Sequence, residues 1–458
     1  MGASTTTLPF SQKRYLNYTD YCMHNIAWKS LFNWVVKMRA NSHRIFGGLG
    51  IVFLVLIYYY LQWGNLETFV ASIDHCDALF CDFSRVFYKM GETIFSQKIP
   101  SRGFYYSPFA AIFFSLWGFQ PPITALITWG ITQLILLVGM FLCWLPVMQK
   151  SQPYFGPAYL FLLLTAFPVL HNFKWGQVSV MITLAIFLAM ELYQSRQWVW
   201  AAFFLAFSVA FKFYPVIFIL YFVFKRDVKF LAAFIIFLFL LGIVIPAVFN
   251  GFEPTISFYL SILKKGVGFS NTGSDAINSL YFPNVILRLV GKDSGSIWFQ
   301  RLQILGFVVA AANILLVMFV ATSNLARRLQ WSFLLLFVSI PFFVSTSWAH
   351  YFVYLPAFLA WAVFVVTKSN LSFVKYILLF FSMLFSSIIF FNILRHWSAY
   401  AIPGYLFWSN LLLLLAAYLE LVPQLRISNM FRSLEKNMGI DNRREASASS
   451  GCGKVQYL

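Results

Sequence analysis

Acid is scarce in this chain. Asp and Glu together number 15 in 458 residues, and charged residues make up 10% against 60% hydrophobic. A soluble globular domain is about a quarter charged, so a water-soluble fold is excluded. Cysteine is scarce, at five, and histidine numbers six. No Cys/His spacing suggests zinc. No stretch reads as a soluble domain, and no internal repeat stands out.

Apolar runs take the place of charge. Many approach the roughly 20 residues that span a bilayer. They are rich in Leu, Phe and Ile, which suits helices rather than barrel strands. Spans are expected near 46–63, 105–119, 123–147, 178–194, 198–211, 214–224, 230–249, 302–321, 331–345, 351–367, 373–392 and 404–421. The stretch 156–170 ends in "FPVLHNFKWGQ" and is read as a short re-entrant or broken helix, allowed only where it is buried in protein or lines a cavity. The fold class is all-α: a polytopic helical membrane protein of about 12 transmembrane helices, 13 if 156–170 crosses fully.

The net charge is +18. Nucleic acid is not the expected partner, because Lys and Arg gather at the termini and in short connections, as the positive-inside rule describes. Lys13, Arg14, Lys29, Lys37, Arg39 and Arg44 precede the first span. Arg426, Arg432, Lys436, Arg443, Arg444 and Lys454 follow the last. The organisation expected is a basic cytoplasmic segment 1–45, a transmembrane domain 46–422 with outer loops 64–103 and 250–300, and a basic cytoplasmic tail 423–458. Arg196, the "KRDVK" at 225–229, Arg327–Arg328, Lys368 and Lys375 should face the cytoplasm. Lys212, the 250–300 loop, His350 and Arg395 then fall on the far side.

Five of the acids crowd the first outer loop: Glu67, Asp74, Asp77, Asp82 and Glu92. Within it, Phe83, Val86, Phe87, Met90 and Ile94 make one apolar stripe at helical spacing. Asp82, Arg85, Lys89 and Glu92 lie opposite. This is the pattern of a helix lying in the membrane interface. Asp82 opens it, either as a simple helix cap or as a general base at the water–lipid boundary. Arg102 and Tyr105–Tyr106 close the loop. Cys76 and Cys81 share it, but nothing in their spacing forces a pairing.

Three more polar islands share that face: "HNFKWGQVS" at 171–179, "AFKFYP" around Lys212, and "STSWAHYFVYLP" around Trp348 and His350. Each alone fits an ordinary loop or a structural side chain. Together they suggest one polar site, since polar groups at membrane depth are costly without a cavity to face. Lys212, Lys174 or Arg102 would hold an anionic head, aromatic walls a lipid tail, and a carboxylate would activate a hydroxyl.

The order "DFSRVFY" (82–88), "FYYSPFAAIFF" (104–114), "WGQVSVMITLAIFLAMEL" (175–192), "AFSVAFKFYPVIFILYFVFKRD" (206–227) and "SWAHYFVYLPA" (347–357) resembles the bacterial polyprenyl-phosphate-mannose-dependent α-(1→2)-mannosyltransferases, glycosyltransferase family 87, over about residues 50–365. The resemblance implies the GT-C fold. It also implies inverting transfer of a hexose, mannose above all, from a polyprenyl-phosphate sugar to a hydroxyl of a lipid-linked or glycan acceptor, on the periplasmic or extracellular side of the inner (plasma) membrane. Asp82 matches the family's base. Lys212 and His350 match residues expected near the donor phosphate, and Gln177 matches the family's Gly-Gln. Tyr106, Arg102 and Trp348 complete the expected substrate site. Two departures, Tyr106-Ser107-Pro108 for Tyr-Pro-Pro and Phe213-Tyr214 between Lys212 and its proline, remove no reactive group.

No metal and no cofactor are expected. The chain has no Asp-x-Asp pair to hold a divalent ion beside a nucleotide sugar, which favours a lipid-linked donor. The competing readings are a transporter or flippase of lipid or sugar, and a ligase that moves a finished glycan from a lipid carrier. Transporters place ionisable residues at mid-membrane, whereas Glu191 and Glu420 lie near span ends.

Overall fold

The structure, a computed structural model, describes residues 42–73, 76, 78–97, 104–147, 155–267, 277–292, 297–366 and 373–437. The segment 1–41, Asp74, Asp77, Arg102, Lys368 and the tail from 438 lie outside the described residues. Every regular element among those described is helical.

Among the described residues, four helices are long and apolar enough to cross a membrane: Pro122–Val147, Val228–Asn250, Ile297–Thr322 and Trp397–Leu425. A fifth span results if Gly47–Trp63 and Leu66–Ser72, bent by 76°, are one crossing. The remaining apolar helices are shorter. Ser179–Gln194 and Arg328–Phe343 have 16 residues each, or about 24 Å of rise against a hydrocarbon core of about 30 Å. Length and composition therefore support four or five spans. The expected count of about 12 would require the shorter helices to cross as well.

Element boundaries follow local chemistry. Pro108 starts the helix Pro108–Gly118 behind Ser107, whose hydroxyl accepts from the Ala110 N–H at 3.2 Å. Proline at the first helical position and a hydroxyl cap before it both suit free N–H groups. The stretch around 156–170 is two helices, Phe155–Thr165 and Phe167–Trp175, broken at Ala166 before Pro168. Its freed backbone pairs with a second break: the Phe167 N–H donates to the Ser386 carbonyl at 2.8 Å, and Ala166 bridges Ser387. Two interruptions that satisfy each other are what lets irregular backbone sit inside a membrane protein.

The loop expected over 250–300 is partly regular. Phe252–Val267 and Phe282–Leu289 are helices. The first is amphipathic, with Phe258 and Ile262 buried and Leu260 and Leu263 exposed. Its mixed polarity is that of an interfacial helix, which a search for long apolar runs passes over.

Part of the 64–103 interval does fold as an amphipathic element. Its helix runs through a wide π-turn, Phe83–Phe87, into Tyr88–Gln97. Phe83, Phe87, Met90 and Ile94 are buried, while Arg85, Lys89 and Glu92 are exposed. It packs on Pro108–Gly118 backbone to backbone. A Cβ on Gly91 would strike the Phe114 carbonyl, and one on Gly118 would strike the Gly91–Glu92 peptide. Only hydrogens fit there, so the two helices touch at a glycine pair, a close approach typical of membrane helices. Phe87 stacks on Phe114 at 4.7 Å and Phe83 on Trp129 at 5.0 Å.

Candidate active site

Asp82 sits at the head of this π-turn, directly after Cys81. Cys81 and Cys76 form a disulfide, and both are buried. The Asp82 carboxylate makes no cap to the turn that follows. It accepts instead from the side-chain amide of Gln177.

Gln177 arrives from the broken helix pair. The helix Phe167–Trp175 ends at Gly176, in the left-handed region at φ 65°. A Cβ there would lie 2.8 Å from the Phe83 Cβ. Glycine is thus needed twice, for the conformation and for the contact with the Asp82–Phe83 turn. Buried polar groups hold the Gly176–Gln177 backbone. Trp129 Nε1 donates to the Gly176 carbonyl at 3.0 Å, and Gln133 Nε2 to the Gln177 carbonyl at 2.7 Å. Asn172 Nδ2 in turn donates to Gln133 Oε1 at 3.0 Å.

From Gln177 a chain of hydrogen bonds runs to the cation. The Tyr106 hydroxyl donates to Gln177 Oε1 at 3.1 Å, and Lys212 Nζ donates to the Tyr106 oxygen at 3.2 Å. An ionised carboxylate only accepts. The Gln177 amide must therefore turn its NH₂ toward Asp82 and its oxygen toward Tyr106. Every bond in the series Lys212, Tyr106, Gln177, Asp82 points from cation to anion.

Lys212 ends the helix Trp198–Phe211 in an extended conformation and stands in a cage of three tyrosines. Its Nζ lies 4.1 Å from the ring centre of Tyr351, 4.8 Å from Tyr106 and 6.0 Å from Tyr214. Aromatic faces stabilise a partly desolvated ammonium. Burial still pulls its pKa down to about 7, with the Asp82 carboxylate opposing. The Tyr106 hydroxyl is likewise buried and donates to Gln177.

Asp82, Tyr106, Gln177, Lys212 and Trp348 line one cavity of about 670 Å³. Its polar side also carries Tyr105, Ser345 and Thr346; its apolar side includes Val86, Phe87, Ile262, Leu263 and Phe343. His350 is not on the cavity wall. It lies in the 3-10 turn Ala349–Phe352, whose three-residue period puts Trp348 and Tyr351 on one side. His350 points away and is buried beside His171, ring centres 5.8 Å apart. Lys174 is also buried away from this wall. Its carbonyl accepts from the Phe80 N–H at 2.6 Å. Arg102 lies outside the described residues.

Tyr214 and Tyr351 were missed as site residues, as was the helix bearing Ile262 and Leu263. The signal was weak, since aromatics make up 20% of the chain and a tyrosine in such a sequence singles nothing out. The arrangement suits an anion beside Lys212, an apolar chain along Ile262 and Leu263, and a hydroxyl beside Asp82.

The model of glycosyltransferase family 87 matches residues 104–346, more than half of the chain. The matched segment holds Tyr106, Gln177 and Lys212, and ends between the cavity residues Thr346 and Trp348. No curated protein and no solved structure matches the chain.

Proposed function

The chain belongs to glycosyltransferase family 87, and from that premise we propose that it transfers a hexose, mannose in the first instance, from a polyprenyl-phosphate sugar to a hydroxyl of a lipid-linked or glycan acceptor, with inversion. The observation that carries this reading is the single polar chain from Lys212 to Asp82 along one wall of a largely apolar cavity. A carboxylate and an ammonium stand at its two ends, as a proton acceptor and a phosphate holder require.

Asp82 takes the proton of the acceptor hydroxyl as that oxygen attacks the anomeric carbon. The bond from that carbon to the phosphate oxygen breaks, and its electron pair leaves with the lipid phosphate. Lys212 neutralises the charge that grows there, while the apolar wall takes the lipid. A positioned base contributes about 10²–10⁴ in rate. A charge-stabilising donor contributes about 10²–10³.

The catalytic end is assigned to the periplasmic or extracellular side. The Cys76–Cys81 disulfide beside Asp82 supports an oxidising compartment. Arg196, Arg226 and Arg327, at the far ends of the same helices, support a cytoplasmic location for the opposite face.

The test is a transfer assay with purified protein, radiolabelled polyprenyl-phosphate mannose and a crude membrane lipid extract, run beside Asp82→Asn. The amide keeps the shape and accepts no proton, so transfer should fall at least 100-fold while the melting temperature holds. Full activity in the variant removes Asp82 as base. No transfer by wild type from mannose, glucose or arabinose donors would refute the donor class.

A further inference from the structure

A second cavity, of about 470 Å³, lies at the other end of the helices that build the active site. Ser179–Gln194 begins just after Gln177 and ends at this cavity with Tyr193 and Gln194. Arg328–Phe343 begins here and ends at the active site with Phe343. The segment from Tyr214 to Phe224 likewise has Tyr214 in one cavity and Tyr221 in the other. The two sites are therefore separated by about 24 Å of helix.

The second cavity is basic and polar. Arg327, Arg328, Gln330 and the hydroxyls of Tyr193 and Tyr221 line it. Arg328 is anchored, donating to the Ser323 carbonyl at 3.1 Å and bonded to Tyr221. Lys225 is within electrostatic reach of Arg328. Arg196, Arg226 and Arg327 each hold a left-handed turn conformation, which a residue with a Cβ adopts at a cost. Asp227, the one acid in these turns, is already engaged: it accepts from the Tyr193 hydroxyl at 2.8 Å and from the Phe230 N–H at 3.2 Å. The cavity lining itself carries two guanidinium groups and no acid.

We propose that this cavity binds a phosphate-bearing anion, with Arg327 and Arg328 as its principal contacts. Guanidinium forks match phosphate oxygens in pairs, and a basic pocket between membrane helices meets such groups on lipids. The anion comes either from an anionic lipid headgroup or from a soluble phosphate compound. This assignment is independent of the transferase chemistry.

The experiment uses the full chain in phosphatidylcholine nanodiscs and follows its melting temperature. One arm adds phosphatidylglycerol in steps; another adds inorganic pyrophosphate at fixed ionic strength. The variant is Arg327→Gln with Arg328→Gln, and Arg327→Gln alone, which keeps the anchored Arg328, is run beside it. Arg395→Gln, at a surface position away from this cavity, is the control. Its melting in plain phosphatidylcholine reports whether each variant folds. Wild type and control should melt higher with saturable dependence on one of the two additives. The double variant should need about 30-fold more of it, about fivefold for each basic side chain lost. Saturation by phosphatidylglycerol alone assigns a lipid headgroup, and by pyrophosphate alone a soluble ligand. No saturable rise with either, or the same rise in the double variant, overturns the proposal.

Discussion

Donor affinity should fall about tenfold between pH 6 and pH 8, and Lys212 is the reason. Burial in the tyrosine cage lowers this ammonium to about 7. Its cationic form is present below that value and is lost as pH rises through it. The protonated fraction is about 0.9 at pH 6 and about 0.09 at pH 8. If only the cation holds the lipid phosphate, the apparent Kd is the intrinsic one divided by that fraction, which gives the tenfold change. A phosphodiester donor has no proton to lose in this range, so the slope belongs to the protein. The assay is equilibrium binding of polyprenyl-phosphate mannose without acceptor, where no turnover occurs. Two variants isolate the cause. Lys212→Arg stays charged throughout and should bind with no slope. Lys212→Met should bind weakly and also without slope. Asp82→Asn removes the carboxylate that opposes the downward shift, so its midpoint should move below 7. A flat wild-type profile, or the same slope in Lys212→Met, would refute the role given to this lysine.

Other perturbations follow from single contacts. Gly176→Ala forces a Cβ into the left-handed region against Phe83, and should lower stability by about 2–4 kcal/mol from strain and overlap together, measured by chemical unfolding in detergent; an unchanged midpoint would mean the turn is not tight. Lys375→Met removes the ammonium that meets Glu420 at 2.6 Å in a buried pair, leaving that carboxylate to uncharged donors such as Gln424, and should cost about 3–5 kcal/mol. Adding Glu420→Leu should recover most of that loss, and failure to recover would point away from an isolated pair. Cysteines at Glu253 and Ala326, both exposed and at opposite ends of the bundle, should react differently with an impermeant thiol reagent on intact cells: the first at once, the second only after permeabilisation. The reverse pattern would invert the orientation.

Much of the helix layout was legible because burying uncompensated charge in lipid is costly. The expected segments 198–211 and 178–194 correspond to Trp198–Phe211 and Ser179–Gln194. Less legible were elements at the interface. Phe252–Val267 carries Glu253, Lys264 and Lys265 among its apolar residues, and it reads as a loop when long apolar runs are the guide. The site was half legible for a related reason. Asp82, Gln177 and Lys212 stand out because polar groups are rare in this chain and expensive to bury. Tyr214 and Tyr351 do not, because tyrosine is as much a packing residue as a polar one. His350 was legible as a polar island but not in direction, since the 3-10 turn that rotates it off the cavity wall leaves no mark in the sequence.

The polar chain also constrains how a phosphate can be held. Asp82 forces the Gln177 amide into one orientation, and Gln177 then takes the one proton that Tyr106 has to give. Tyr106 therefore cannot also donate to a ligand without breaking the series. A phosphate must be met by Lys212 itself, which has three N–H groups and spends one on Tyr106. Asp82, the proposed base, and Lys212 are thus linked through two neutral groups that fix their spacing. A direct salt bridge would have quenched both. Two interposed side chains instead set the distance between the carboxylate and the ammonium.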